Sequence, residues 1–196
     1  MESAMRKLTS LAAKGAATAL LASTALAASG VAHAQAAPLG AKIATTAKGQ
    51  IGAGPCGLNG KGSYWGRGTS QTGSCGPNGT EAHAWCADFV GWVWWKNGVG
   101  GNMKKLNNLA SSFTKYGPMH STPKVGDAIL YNQHTPGVGD DHVAIVVAIS
   151  GSKITVVGGN QGTPGSVSAR TWKSYKVGTQ VNSVQRISGY VTPVAR

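Results

Sequence analysis

The chain has 196 residues, with 18 Lys and Arg against 6 Asp and Glu (formal net charge +12), 29 Gly and three Cys. Hydrophobic residues at 41% exclude wholesale disorder, and glycine without a fixed period excludes a collagen-like rod. The length suits one domain with a genuine core, and three cysteines fall short of the four that an all-thiolate metal centre needs.

Residues 1–34 carry the pattern of an export leader. Arg6 and Lys7 precede an Ala- and Leu-rich stretch running to about Val31, with Leu20, Leu21 and Leu26 as its most apolar part. Ala32-His33-Ala34 then offers a small-x-small cleavage site, and Ala34-Gln35-Ala36 a second one. Lys14 and the many small polar residues speak against a membrane span. Without Glu2, Arg6, Lys7 and Lys14, residues 35–196 keep 15 basic and 5 acidic side chains, a net charge of +10. The basic residues are scattered from Lys42 to Arg196, with Lys104-Lys105 the one adjacent pair. A nucleic-acid binder concentrates its charge on a face or strip, so the scatter fits an anionic envelope better.

In residues 35–51, Ala41, Ala44 and Ala47 stand three apart and predict a short surface helix. Residues 52–80 form a Gly-rich loop holding Cys56, Cys75 and the pair Tyr64-Trp65, an ordered segment by its composition. Cys86, Phe89, Val90, Val93 and Asn97 make one helical stripe that Gly98 ends. Leu106, Leu109, Phe113 and Tyr116 predict a second helix, stopped at Gly117-Pro118. Strands are expected at 127–132, 142–149, 153–157, 166–172 and 186–194, with Gly151-Ser152 a tight hairpin turn. Helices first and strands second indicate an α+β domain with an antiparallel sheet.

In an exported chain, three cysteines suggest one disulfide and one leftover thiol. Cys56 and Cys75, 19 positions apart in one loop, are the expected pair; Cys75 with Cys86 is the alternative, because parity does not decide connectivity. Cys86 then stands free at a helix N-terminus, where the macrodipole favours a thiolate. A nucleophile needs a base, and the base an orienting group. His142 opens an apolar strand, Val143 to Val147, that would hold its ring. The hairpin at Gly151-Ser152 returns the next strand alongside, so Asn160 comes near His142 and could fix its tautomer. His83, three residues before Cys86, belongs to the turn entering the helix.

Residues 78–92, with Trp85-Cys86-Ala87-Asp88-Phe89 at their centre, resemble the nucleophile segment of CHAP domains, the cysteine- and histidine-dependent amidohydrolases/peptidases. Pro123 to Ile129 looks like the first strand of that family, Asp141 to Val146 its histidine strand, and Gly159-Asn160 its third-residue segment. The resemblance covers most of residues 35–196 and is most specific from 78 to 162. It implies a papain-like fold with helices packed on an antiparallel sheet, and a peptidoglycan amidase or endopeptidase using Cys86 as nucleophile, His142 as base and Asn160 as orienting residue. Many relatives carry an acidic residue where Gly158-Gly159 stands here, so Asn160 would act alone or with Asp140 or Asp141.

Trp65 and Tyr64, aromatic in a polar loop, are candidate substrate contacts, and Trp85 beside the nucleophile is a third. Glu81 and Asp88 are too few hard oxygen ligands for a calcium loop, and no metal or cofactor is expected. The expected partner is peptidoglycan or a similar anionic envelope polymer, met by an exported monomer without stable membrane insertion once the leader is cut. The competing reading is a non-catalytic, basic wall-binding protein of the same fold.

Overall fold

The computed structural model describes residues 37–60, 62–65, 73–133, 141–162 and 164–196. The expected leader and Asp140 lie outside the described residues. Among the described residues are three α-helices, α1 (Leu39–Lys48), α2 (Cys86–Lys96) and α3 (Phe113–Tyr116), and five strands. These are β1 (Ala128–Tyr131), β2 (His142–Ser150), β3 (Lys153–Gln161), β4 (Ser166–Trp172) and β5 (Ile187–Val191). All neighbours pair antiparallel, in the order β4-β3-β2-β1-β5. The architecture is the expected α+β one.

α1 forms on a stripe different from the one predicted. Ile43, Ala44 and Ala47 are buried while Ala41 is exposed, so the helix docks on the core instead of riding on the surface. In α2, Phe89, Val90, Val93 and Trp94 are fully buried against the sheet, and Gly98 takes φ 73° just beyond its end. β2 is buried without interruption from His142 to Val147 because both faces of the sheet are covered. The helices pack on Val143, Ile145 and Val147, while Trp172, Tyr175 and Val181 cover the side of Tyr131, Ala144 and Val146.

Gly159 sets how closely α2 approaches the sheet. A Cβ at this position would stand 2.6 Å from both Phe89 Cβ and Trp85 Cζ3, closer than real side chains come. Its absence lets β3 run directly under the first turn of α2. The helix N-terminus is thereby brought to the ends of β2 and β3.

The second predicted helix does not form as one piece. Residues 103–116 are instead two 3₁₀ turns, Met103–Lys105 and Ala110–Ser112, followed by the single-turn α3. The hydroxyl of Ser112 donates to Leu109 O at 2.7 Å and accepts from Asn107 N–H at 3.2 Å, while Asn107 Oδ1 accepts from Leu109 N–H at 2.9 Å. Such local side-chain bonds compete with a helical ladder and break it here. Leu109 points outward, 57% exposed.

Cys56 and Cys75 are disulfide-bonded, with Cα atoms 4.7 Å apart, and Cys86 is free and buried. This settles the connectivity against Cys75–Cys86. Closing a loop of this size is worth about 3 kcal/mol in chain entropy. The loop is anchored further by Tyr64, which lies among Trp85, Phe89 and Trp92 with ring centroids 5.1–5.5 Å away.

Candidate active site

Cys86 is the first residue of α2, and its side chain faces the start of β2. Burial pushes its thiol up to about 11, and the charge of Asp88 adds to this; backbone N–H groups of Val143, Ala87 and Cys86 itself pull the other way. Desolvation therefore outweighs the helix-terminus effect, and the resting group is a thiol, not the thiolate that the helix position suggests. Val143, whose N–H reaches the sulfur, directly follows His142, so the fold brings the thiol to the strand end that His142 opens.

The His142 ring lies on the other side of β2, above Ala144 and Gly158 and 5.9 Å from the Tyr131 ring. Burial alone lowers its proton affinity, to a pKa of about 4. Its Nε2 is buried and has no hydrogen-bond partner. Burial thus favours the neutral form of the imidazole as it does of the thiol.

Asn160 is brought to the site, with its amide turned toward the helix and not toward the imidazole. It sits at φ 54°, and with its amide oriented by its neighbours Nδ2 donates to Glu81 Oε2 at 3.1 Å and Oδ1 accepts from Trp85 N–H at 3.3 Å. The second bond satisfies one of the N–H groups that the start of α2 would leave unpaired. On the same turn, Asp88 is buried and its Oδ2 stands 2.7 Å from His83 Nε2. Desolvation raises Asp88 above the usual carboxylate range, partly offset by the His83 hydrogen bond and charge.

The family model of the CHAP domain matches residues 77–160, a span that opens just before α2 and closes on Asn160. Residues 77–160 are a CHAP domain. CHAP domains are in general cysteine- and histidine-dependent amidohydrolases or peptidases, which makes this chain, at family level, an amidase- or peptidase-like hydrolase of the peptidoglycan-directed class. No curated protein matches the chain.

At His142 opens a cleft of about 500 Å³, lined also by Asn160, Gln161, Arg170, Trp172 and Gln185 but not by Cys86. The aromatic substrate contacts expected from the sequence do not border it. Trp85 is completely buried and Tyr64 is 2% exposed, its hydroxyl donating to Gln50 Oε1 at 2.9 Å. Both rings build the core under the disulfide loop, because stacking on each other buries more apolar surface than facing solvent would. Trp65 is half-buried and stacks on Trp95, with centroids 5.6 Å apart. A larger hollow of about 600 Å³ lies beneath that loop, bordered by Gln50, Leu58, Tyr64, Trp92 and Lys96, and neither Cys86 nor His142 reaches it.

Two cleft residues escaped the sequence reading. Arg170 resembles any exposed strand cation, and Gln161 carries no motif. Only pairing across the sheet places either of them by the histidine.

Proposed function

We propose that the chain is an exported peptidoglycan hydrolase that cleaves an amide bond of the stem peptide or its attachment with Cys86 as nucleophile and His142 as base. The observation that carries this reading is the meeting of the free thiol at the start of α2 with the N-terminal end of β2, inside the CHAP span. Because both groups rest neutral, the imidazole takes the thiol proton as sulfur attacks the carbonyl carbon. Backbone N–H groups at the helix start face the oxygen that becomes negative. The imidazolium then protonates the departing amine as the C–N bond breaks, and the neutral ring next takes a proton from water, whose oxygen displaces sulfur from the thioester. Export rests on the leader pattern of residues 1–34, and attraction to the wall on the net positive charge.

The test is release of soluble fragments from purified peptidoglycan by the parent protein, Cys86→Ala and His142→Asn, with mass spectrometry of the products to name the bond. The parent should release fragments and both variants should not. Equal release by all three would overturn the assignment. The second reading, a basic wall-binding protein without activity, draws on the burial of Cys86, which is 6% exposed. It predicts sedimentation with peptidoglycan and no fragments from any of the three.

A further inference from the structure

Asn160 stands in a bulge of β3. The strand pairs with β4 at Gly158↔Ser168 and next at Gln161↔Ser166, and Asn160 takes φ 54° between these pairs. A bulge re-aims the side chains around it. Gly158 faces His142, whereas the Asn160 amide leaves the sheet toward the first turn of α2. There its Oδ1 accepts from Trp85 N–H at 3.3 Å. Gly159 lies against the Trp85 ring, with no room for a side chain between them. The residue before the nucleophile is thus held by β3 through both its ring and its peptide N–H.

The other end of the amide is held by Glu81, whose Oε2 accepts from Asn160 Nδ2 at 3.1 Å. The carboxylate charge strengthens such a bond. An amide turned the other way would set its oxygen against the carboxylate and its NH₂ against the Trp85 N–H. Glu81 is exposed, and among the described residues Asn160 is its side-chain partner. Its backbone is fixed from the opposite direction. Glu81 bridges Cys75 antiparallel, Ala82 N–H donates to Ser74 O at 2.9 Å, and Cys75 is bonded to Cys56. Gly165, on the turn from β3 to β4, leaves space for the contact. A Cβ there would overlap the Asn160 amide and stand 3.2 Å from Glu81 Oε2.

We propose that Glu81 is a positioning residue of the nucleophile turn, aligning the Asn160 amide so that it holds the Trp85 peptide N–H at the start of the Cys86 helix. This rests on the reading of Cys86 as the nucleophile. It places the work of Asn160 on the sulfur side of the site, away from the imidazole that its sequence position suggests. A peptide N–H at a helix start has no acceptor within the helix. Without the amide, the turn that carries Cys86 has one tie to β3 fewer. The disulfide loop is thereby linked to the nucleophile, from Cys75 to Glu81, from Glu81 to Asn160 and from Asn160 to Trp85.

The test uses the whole protein with Glu81→Ala, Glu81→Gln, Asn160→Gly and the double variant of Glu81→Ala with Asn160→Gly. Glycine removes the amide while keeping a positive φ without strain. Hydrogen exchange of the Trp85 N–H, followed by NMR, is the direct readout. Val146 N–H, which donates to Asp127 O at 2.9 Å in the sheet, should remain protected throughout and shows that the variants fold. Glu81→Ala should speed Trp85 exchange about fivefold, the size of one lost hydrogen bond. Glu81→Gln still offers an oxygen to the amide and should stay within about twofold of the parent. The double variant should exchange no faster than Asn160→Gly alone, because Glu81 acts through the amide. The NMR midpoint of His142 should stay within about 0.3 pH unit in Asn160→Gly, which an amide orienting the imidazole would not allow. Fragment release by Glu81→Ala should fall about tenfold in kcat with KM within about twofold, and Glu81→Gln should restore it. Trp85 exchange unmoved by Glu81→Ala overturns the proposal, as does a His142 midpoint that moves in Asn160→Gly, or a kcat unmoved by Glu81→Ala in a parent that hydrolyses. If Asn160→Gly does not fold, the two Glu81 variants decide. Faster Trp85 exchange with no hydrolysis by the parent retires the hydrolase reading and keeps the link from Glu81 to the helix start, whereas hydrolysis with unmoved exchange does the reverse.

Discussion

Two histidines flank the Cys86 turn, and the fold houses them in opposite ways. His83 precedes α2 and gives its Nε2 to the buried carboxylate of Asp88 at 2.7 Å. His142 opens β2, more deeply buried than His83, with Nε2 unpartnered over Gly158. A carboxylate beside an imidazole is the usual mark of a catalytic pair, yet here the carboxylate sits with His83 and not with His142. Asp88 needs His83, because an ionised carboxylate buried in the first turn of a helix must be compensated. His83 thereby belongs to the architecture of the helix start, whereas His142 keeps a nitrogen whose protonation can change.

The largest separation between the two should be in catalysis. His142→Asn is expected to lower kcat/KM for fragment release by about 10³-fold or more, the range of a lost acid–base group. His83→Asn should stay within about threefold, since no reacting proton passes through it. Kinetics on solubilised peptidoglycan fragments measure both. A reversed ranking would make His83 and Asp88 the working pair and His142 the structural one.

Acid stability separates them next. The proton affinity of His142 falls from the ordinary 6.5 to about 4 in the fold, so between these values the unfolded chain binds a proton that the native state refuses. Stability rises with pH wherever the unfolded state binds more protons. The parent should therefore lose about 3 kcal/mol relative to His142→Asn as pH falls from 6.5 to 4, and no more below that. Urea unfolding at half-unit pH steps would show it. A parent and variant that run parallel through this window would mean that the ring titrates in the native state as it does in water.

How much of this was legible beforehand follows from which forces were local. The stripe Cys86, Phe89, Val90 and Val93 and the hairpin at Gly151-Ser152 are near-neighbour patterns, and they led to α2, to the β2–β3 pair and to the juxtaposition of Cys86 with β2. Tyr64 misled because the polarity of its loop says nothing about a ring drawn inward onto Trp85 and Phe89. Leu106, Leu109, Phe113 and Tyr116 kept helical spacing, yet Asn107 and Ser112 spent their side chains on the backbone between them. The thiol at a helix start looked electrostatically favoured, but the dipole is a surface-scale effect and complete burial overrides it. Gln161 was out of reach of any periodicity argument, because a bulge changes which face a residue meets without changing its composition.

The smallest effect concerns His83 itself and carries a sign that can fail. Its hydrogen bond and its charge both lower the pKa of Asp88, which burial raises above 3.8. Replacing it by alanine leaves Asp88 buried and uncompensated, and at pH 7 should cost about 1–2 kcal/mol of unfolding free energy. That loss belongs to the ionised carboxylate. It should be complete above the unfolded value of 3.8 and Asp88's raised native value, and should shrink as pH falls through the latter, because a protonated Asp88 no longer needs a cationic or donor partner. Urea midpoints of the parent and His83→Ala at pH 7 and pH 3 decide the point. A deficit that is the same at both would show that His83 acts through packing alone. A deficit that vanishes in acid identifies it as the compensator of Asp88, and leaves His142 as the histidine of this turn with a proton to move.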